Sequence, residues 1–165
     1  MIRSATLEDA NAIAEIYNPY IAETIITFEE RAVSAEEIQE RISKVTEANL
    51  PWIVAEHDGR VCAYAYATPW RVRAAYRYSV ETTVYIARAY IGKRIGTDLY
   101  RELLSRLASY GAHVAIGGIA LPNDASIALH EKLGFRKVAH FEEVGMKFGR
   151  WIDVAYWQKT LSSAE

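Results

Sequence analysis

The sequence predicts an α/β or α+β domain in which strands and helices follow the order β-α-α-β-β-β-α-β-α-β-β, with at least one strand-helix-strand crossover. Three observations carry that expectation. His57-Asp58-Gly59-Arg60 separates "WIVAE", from Trp52, and "VCAYAYA", from Val61, and Asp-Gly between two such runs signals a hairpin. "VETTVYI", Val80 to Ile86, reads as a third strand, with Val80, Thr82, Val84 and Ile86 on one face and Glu81, Thr83 and Tyr85 on the other. Leu99, Tyr100, Leu103, Leu104 and Leu107 then recur at helical spacing up to Gly111, a C-terminal stop.

The remaining elements follow from similar signals. A short strand near Ile2 leads to Thr6 and Asp9, which can cap a helix carrying Ala10, Ile13, Ile16 and Tyr17. Ser34 and Glu37 form a second capping pair ahead of Ile38, Ile42 and Val45. Between these helices, "YIAETIITFEE" reads as irregular, a loop suited to covering a substrate. "AHVAIGGIA" is a fourth strand and "NDASIALHEKLGF" a helix ended by Gly134. On that helix Ala125, Ala128, Leu129 and Leu133 are expected to form the buried stripe, with Asn123, Ser126, Ile127 and His130 at its rim. Strands around Val138 to Phe141 and Ile152 to Lys159 complete the set.

Bulk properties narrow the function. With 165 residues and 51% hydrophobic content, the expectation is one domain over residues 1–165 with a substantial core. The formal net charge of −2 argues against nucleic acid as a partner. A lone cysteine, Cys62, excludes an internal disulfide and a cysteine-based zinc site, and His57, His113 and His140 show no ligand spacing, so no metal is expected. The residues after Met1 lack the apolar run of a signal peptide, and no run is long enough for a bilayer, so a cytoplasmic protein without membrane attachment is expected.

Gly92-Lys93-Arg94-Ile95-Gly96 lies between the Val80–Ile86 strand and the helix that follows Thr97. Backbone N–H groups at a helix start lack internal partners and suit a phosphate, and glycine allows close approach. An ordinary turn explains two glycines equally well, and the loop is neither a Walker loop nor a dinucleotide fingerprint.

This loop and "ALHEKLGF" together resemble the acetyl-coenzyme A-dependent N-acetyltransferases of the GNAT superfamily, whose motif Arg/Gln-x-x-Gly-x-Gly/Ala follows a strand. "IYNPYI", "TFEE", "YATPWRVRAAYRYSVETTVYIA" and "VGMKFGRWIDVAYWQ" extend the similarity, over Ile2 to about Leu161, to the branch that acetylates phosphinothricin and methionine sulfoximine. The resemblance implies a mixed, mostly antiparallel sheet with helices on both faces and a splayed strand pair at the acetyl-CoA site. It also implies a homodimer and a small amino-acid-like amine substrate, such as methionine sulfoximine, methionine sulfone or phosphinothricin. Two positions depart from the motif: Ile91 replaces its Arg or Gln, and Arg94 its first Gly. Arg94 is strained if that position needs positive φ; otherwise its guanidinium can reach a phosphate of the coenzyme.

Acetyl transfer needs a base for the ammonium substrate and a donor to the leaving thiolate. Glu81, within an otherwise apolar and threonine-bearing strand, is the candidate base, although spacing alone fits a solvated carboxylate equally. By resemblance, His130 holds the position of a tyrosine acid in many relatives; the competing reading is a satisfied rim histidine. The resemblance also implies that backbone amides of Val84, Tyr85 and Ile86 polarise the thioester, and that Thr97, Asn123 and Lys132 join Gly92–Gly96 in holding the coenzyme. Specificity is expected in "PWRVRAAYRYSVE", where Arg71 and Arg73 can bind a carboxylate beside Ala74, Ala75 and Tyr76, although either arginine alone reads as surface charge. Phe28 matches an aromatic of the branch's amino-acid pocket. Trp70, Trp151 and Trp157 are expected in the core or at a dimer interface. Acetylation of peptide or protein N-termini, or of another small amine, is the alternative activity; a coenzyme-binding module without catalysis is a third reading.

Overall fold

Hydrophobic strands that bury both faces need helices on both sides, and the chain meets that need around one seven-stranded sheet. The computed structural model describes residues 1–161; the last four residues of the expected domain lie outside it. Along the chain run β1 (Ile2–Ser4), α1 (Ala10–Glu23), α2 (Ala35–Glu47), β2 (Trp52–His57), β3 (Arg60–Pro69) and β4 (Ser79–Ile86). Then follow α3 (Ile95–Ser109), β5 (Val114–Ala120), α4 (Asp124–Lys132), β6 (Arg136–Lys147) and β7 (Arg150–Thr160). Spatial order is β1-β2-β3-β4-β5-β7-β6, and β4–β5 is the parallel pair in an otherwise antiparallel sheet.

The two faces have separate cores. Ile13, Tyr17 and Ile21 of α1 and Ile38 and Ile42 of α2 pack on Trp52, Val54 and Tyr64. Leu99, Leu103 and Leu107 of α3, with Leu133 and Phe135 after α4, cover Ile53, Ala63, Ala65 and Val80 on the opposite face. Burying each of these leucines contributes about 1.5–3 kcal/mol, so α3 is firmly seated. Asp9 ties β1 to the start of α1: it accepts from the Thr6 amide at 2.8 Å and from the two terminal guanidinium nitrogens of Arg3 at 2.8 Å. That guanidinium holds the Asp9 carboxyl below its ordinary range.

Three expectations need correction. α1 runs on to Glu23, so Tyr20–Glu23 are helical; buried Tyr20 and Ile21 continue its apolar stripe, and Pro19 does not stop it. On α4, Ala125 and Ala128 are exposed, whereas His130 and Leu133 are buried and Ser126, Ile127 and Leu129 half-buried. The helix is rotated so that it inserts an imidazole. Finally, β6 and β7 are far longer than the short strands expected, and join through Phe148 and Gly149, both at positive φ.

Candidate active site

β4 and β5 pair at Ser79–Val114, Val80–Ala115 and Glu81–Ile116, and then diverge. Beyond Glu81, β4 keeps only β3 as a neighbour, and β5 only β7. The Trp70 amide donates to Ser79 O at 3.1 Å and the Ala87 amide to Cys62 O at 2.8 Å, which fixes the alternation between them. Odd-numbered residues of β4, including Tyr85, direct N–H and C=O to β3; Val84 and Ile86 direct theirs to the open side. Of the three amides expected to polarise a carbonyl, Tyr85's is therefore taken by the sheet, and those of Val84 and Ile86 face the gap.

A cavity of about 740 Å³ passes through this gap. Its lining comes from both faces of the sheet, which only the divergence of β4 from β5 permits. One side holds Glu81, Thr83 and Tyr85 with Phe28, Tyr66 and Tyr156; the other holds Thr82, Val84, Tyr100, Asn123, Ser126 and His130. Of the residues expected from sequence, Glu81, Val84, Tyr85, Phe28, Asn123 and His130 are thus brought together. Arg71 is exposed and does not line it, and neither do Arg73, Ala74, Ala75 and Tyr76, which form an exposed single turn. Nor do Ile86, Lys132, or Gly92 to Thr97, which lie beyond the end of β4.

Glu81 is mostly withdrawn from water, and burial pushes its carboxyl above the ordinary value, an effect that the positive charge of Arg71 partly offsets. Arg71 itself lies over the Trp70 ring, 4.0 Å from its centroid. Tyr156 was missed by the sequence reasoning: it sits opposite Gly118, and a Cβ there would approach its ring to 2.9 Å. Its phenol is raised by burial and then by the Glu81 charge, so the two share one side of the cavity. A tyrosine in an alternating strand gives no local cue to such a place.

Across the gap, His130 and Tyr100 form one network. The Tyr100 hydroxyl is 2.9 Å from His130 Nε2 and 2.5 Å from Thr82 Oγ1, and His130 Nδ1 is 2.7 Å from Ser126 O. The carbonyl can only accept, so Nδ1 carries the proton and Nε2 accepts from Tyr100. Burial lowers the His130 pKa and keeps the imidazole neutral. His130 is only 7% exposed, inside the core wall and not at a rim. Thr82 and Tyr100 read only as strand and helix residues, and Ser126 only as a rim position of α4, because none of them carries a charge.

The loop after β4 fits a phosphate-bearing ligand. Gly92 has φ +83°, and a Cβ on Gly96 would strike Ile86, so glycine lets α3 start close against β4. No side chain caps the first amides of α3. Arg94 stands at its N-cap with φ +65° in the left-handed region, so the strained reading of this departure applies. Replacing Arg94 with glycine should relieve about 1 kcal/mol, raising the melting temperature by about 2–4 °C in a chain of this size. Calorimetry of both proteins checks this. Asn123 caps α4 by accepting the Ser126 amide at 3.1 Å. His140 pairs with Asp153 across strands at 2.8 Å, an arrangement that sequence spacing did not expose. Among the described residues, no three His, Cys, Asp or Glu side chains gather as a metal site, and no helix is long and apolar enough to cross a membrane.

A splayed β4–β5 pair followed by an uncapped helix start is the arrangement that the sequence resemblance implies for an acetyl-CoA-dependent acyltransferase, and comparison with known proteins shows the family. Residues 2–156 match the acetyltransferase (GNAT) domain, so the chain belongs to the GNAT acetyltransferase family and is an acetyl-CoA-dependent N-acetyltransferase. It is 37% identical to the phosphinothricin N-acetyltransferase of Streptomyces coelicolor, over 97% of this chain and 95% of that protein. It is also 37% identical to the L-methionine sulfoximine/L-methionine sulfone acetyltransferase of Salmonella typhimurium, over 97% and 94%. The crystal structure of a phosphinothricin acetyltransferase from Sinorhizobium meliloti in complex with acetyl-CoA superimposes with a TM-score of 0.94 at 37% identity, covering 98% of this chain and 88% of that one.

Proposed function

We propose that the chain acetylates the amino group of a small amino-acid-like substrate, such as methionine sulfoximine, methionine sulfone or phosphinothricin. One observation supports this above all: one cavity crosses the sheet, with the half-buried Glu81 carboxylate on one face and Val84, whose amide is turned to the gap, in its lining. Relatives named for those substrates supply the chemical class.

Acetyl-CoA provides the activated acyl group and the thiolate leaving group. Glu81 removes the ammonium proton, directly or through water, and burial, by raising its pKa, makes it a stronger base than an ordinary carboxylate. Val84 and Ile86 offer N–H groups to the carbonyl oxygen as its charge grows. Gly92, Lys93, Arg94, Ile95, Gly96 and Thr97 seat the diphosphate at the start of α3, with Asn123 and Lys132 alongside. His130 was expected to give a proton to the thiolate; with its Nδ1 proton held by Ser126, it serves in the present geometry to orient the Tyr100 hydroxyl. A donor role for His130 requires Tyr100 to turn its own proton away.

Arg71 lies on Trp70 outside the cavity lining, and its charge acts at Glu81, so in this reading it receives the substrate carboxylate from the cavity mouth, with Arg73, Ala74, Ala75 and Tyr76 beyond it. Arg71→Ala and Arg73→Ala should each raise the amine KM about tenfold while leaving kcat nearly intact, the signature of lost ground-state binding. A homodimer would cover Val138, Phe141, Val144, Met146, Phe148 and Trp151, which are exposed along the β6 edge and its hairpin. Sedimentation equilibrium tests that state. A cytoplasmic location would supply the coenzyme.

Release of free thiol from acetyl-CoA, measured with the three amino acids, a polyamine and a peptide, tests the substrate. Turnover with the amino acids supports the reading. Turnover restricted to the peptide or the polyamine would move it to N-termini or other amines, and binding of coenzyme without thiol release would leave a non-catalytic module.

A further inference from the structure

Lys147 ends β6, next to the turn at Phe148 and Gly149. Its side chain points inward and is almost fully buried. The ammonium donates to the backbone oxygens of Thr24 at 2.8 Å and Thr27 at 2.7 Å. Glu30 and Glu29 attract it from a distance, and burial lowers its pKa. An ammonium withdrawn from water is costly unless its donors are satisfied; here the two carbonyls satisfy it, and it supplies the donor that they would otherwise lack. The charge is therefore holding something.

What it holds is the connection between α1 and α2. Residues 24–33 have no regular structure, and Ile26, Thr27, Phe28 and Glu29 of this segment form one wall of the cavity. Gly145 lies two residues before Lys147 on the same face of β6, and a Cβ there would strike the Phe28 ring. β6 thus engages the loop twice, by a glycine that seats the ring and an ammonium that binds the chain on either side of Ile25 and Ile26. From the other side, the Tyr17 hydroxyl meets Thr27 Oγ1 at 2.7 Å, and Arg41 clasps Glu29 at 2.5 and 2.9 Å.

We propose that Lys147 is a positioning residue for the amine pocket: by binding the carbonyls of Thr24 and Thr27 it fixes the loop that sets Phe28 against the Glu81 side of the cavity. The inference rests on reading that cavity as the amine site. Preorganised walls bind a small ligand without an ordering cost, so releasing the loop should weaken amine binding and leave the coenzyme side alone.

Hydrogen exchange read by mass spectrometry, on the wild type, Lys147→Met and Lys147→Gln, tests the hold directly; amine and acetyl-CoA kinetics on the same samples test its consequence. In Lys147→Met, exchange over residues 24–31 should quicken at least about tenfold, and the amine KM should rise about tenfold with kcat and the acetyl-CoA KM little changed. Lys147→Gln, which keeps N–H donors, should fall between and serves as the decisive variant if the methionine protein does not fold. Unchanged exchange over 24–31, or an equal rise in both KM values, overturns the proposal. A wild type inert towards every amine would instead remove the functional reading, while the exchange comparison still decides whether Lys147 holds the loop.

Discussion

Glu81→Gln should lower kcat by about 10²–10³-fold while leaving acetyl-CoA affinity unchanged. The side chain is half-buried on β4 at the last residue before the strands part, so the amide fits the same space and removes only the ability to take a proton. The pH profile carries the sign. Burial raises the carboxyl, so in the wild type kcat/KM should fall as pH drops through that raised value, because the protonated acid is no base. In Glu81→Gln this acid limb should vanish. Arg71→Ala removes the charge that pulls the value down, so it should shift the limb to higher pH. Stopped-flow thiol release across the pH range, with calorimetric titration of coenzyme, checks all three. A glutamine variant with wild-type kcat would show that water or another group takes the proton.

Much of the fold was legible because its elements carry local chemistry. Asp58-Gly59 sets the β2–β3 turn at positive φ, Ser34 with Glu37 starts α2, and Leu99, Leu103 and Leu107 mark α3, all as the pattern predicts. The β6–β7 hairpin was shortened because its turn puts a phenylalanine at φ +52°, which no turn preference anticipates. Irregular pairing between Phe141 and Gly145, with Glu143 at positive φ, also breaks the alternation that would have revealed one long strand. Of the candidate site, Glu81 was visible as a glutamate in an otherwise apolar and threonine-bearing strand, and His130 through the resemblance of its helix to the family motif. Thr82, Tyr100 and Tyr156 were not, because each looks like an ordinary strand or helix residue until the sheet opens beside it. The rotation of α4 was missed for a related reason. Small Ala125 and Ala128 read as an apolar stripe, while the face that is buried carries the polar His130, which Tyr100 and Ser126 satisfy.

That rotation has a steep energetic consequence at Gly117. A Cβ on this residue would lie 2.5 Å from His130 Nε2 and 2.9 Å from its Cδ2. The ring cannot simply retreat. Ser126 O and the Tyr100 hydroxyl hold its two nitrogens, and Tyr100 and Phe135 stand edge-on to it with centroids at 5.1 and 5.0 Å. Gly117→Ala, although conservative in a strand, should therefore destabilise the protein by about 1–3 kcal/mol. In a His130→Ala background the new methyl group occupies space the imidazole has left, and the cost should fall to a few tenths of a kcal/mol. The double-mutant cycle, measured by denaturant unfolding of all four proteins, should thus give a coupling of about 1–3 kcal/mol. Additive effects would mean that the glycine serves something other than the imidazole. A coupled pair would tie β5 to the His130–Tyr100 network through one missing methyl group, and so explain why the strand facing the gap has glycine where alternation calls for a branched side chain.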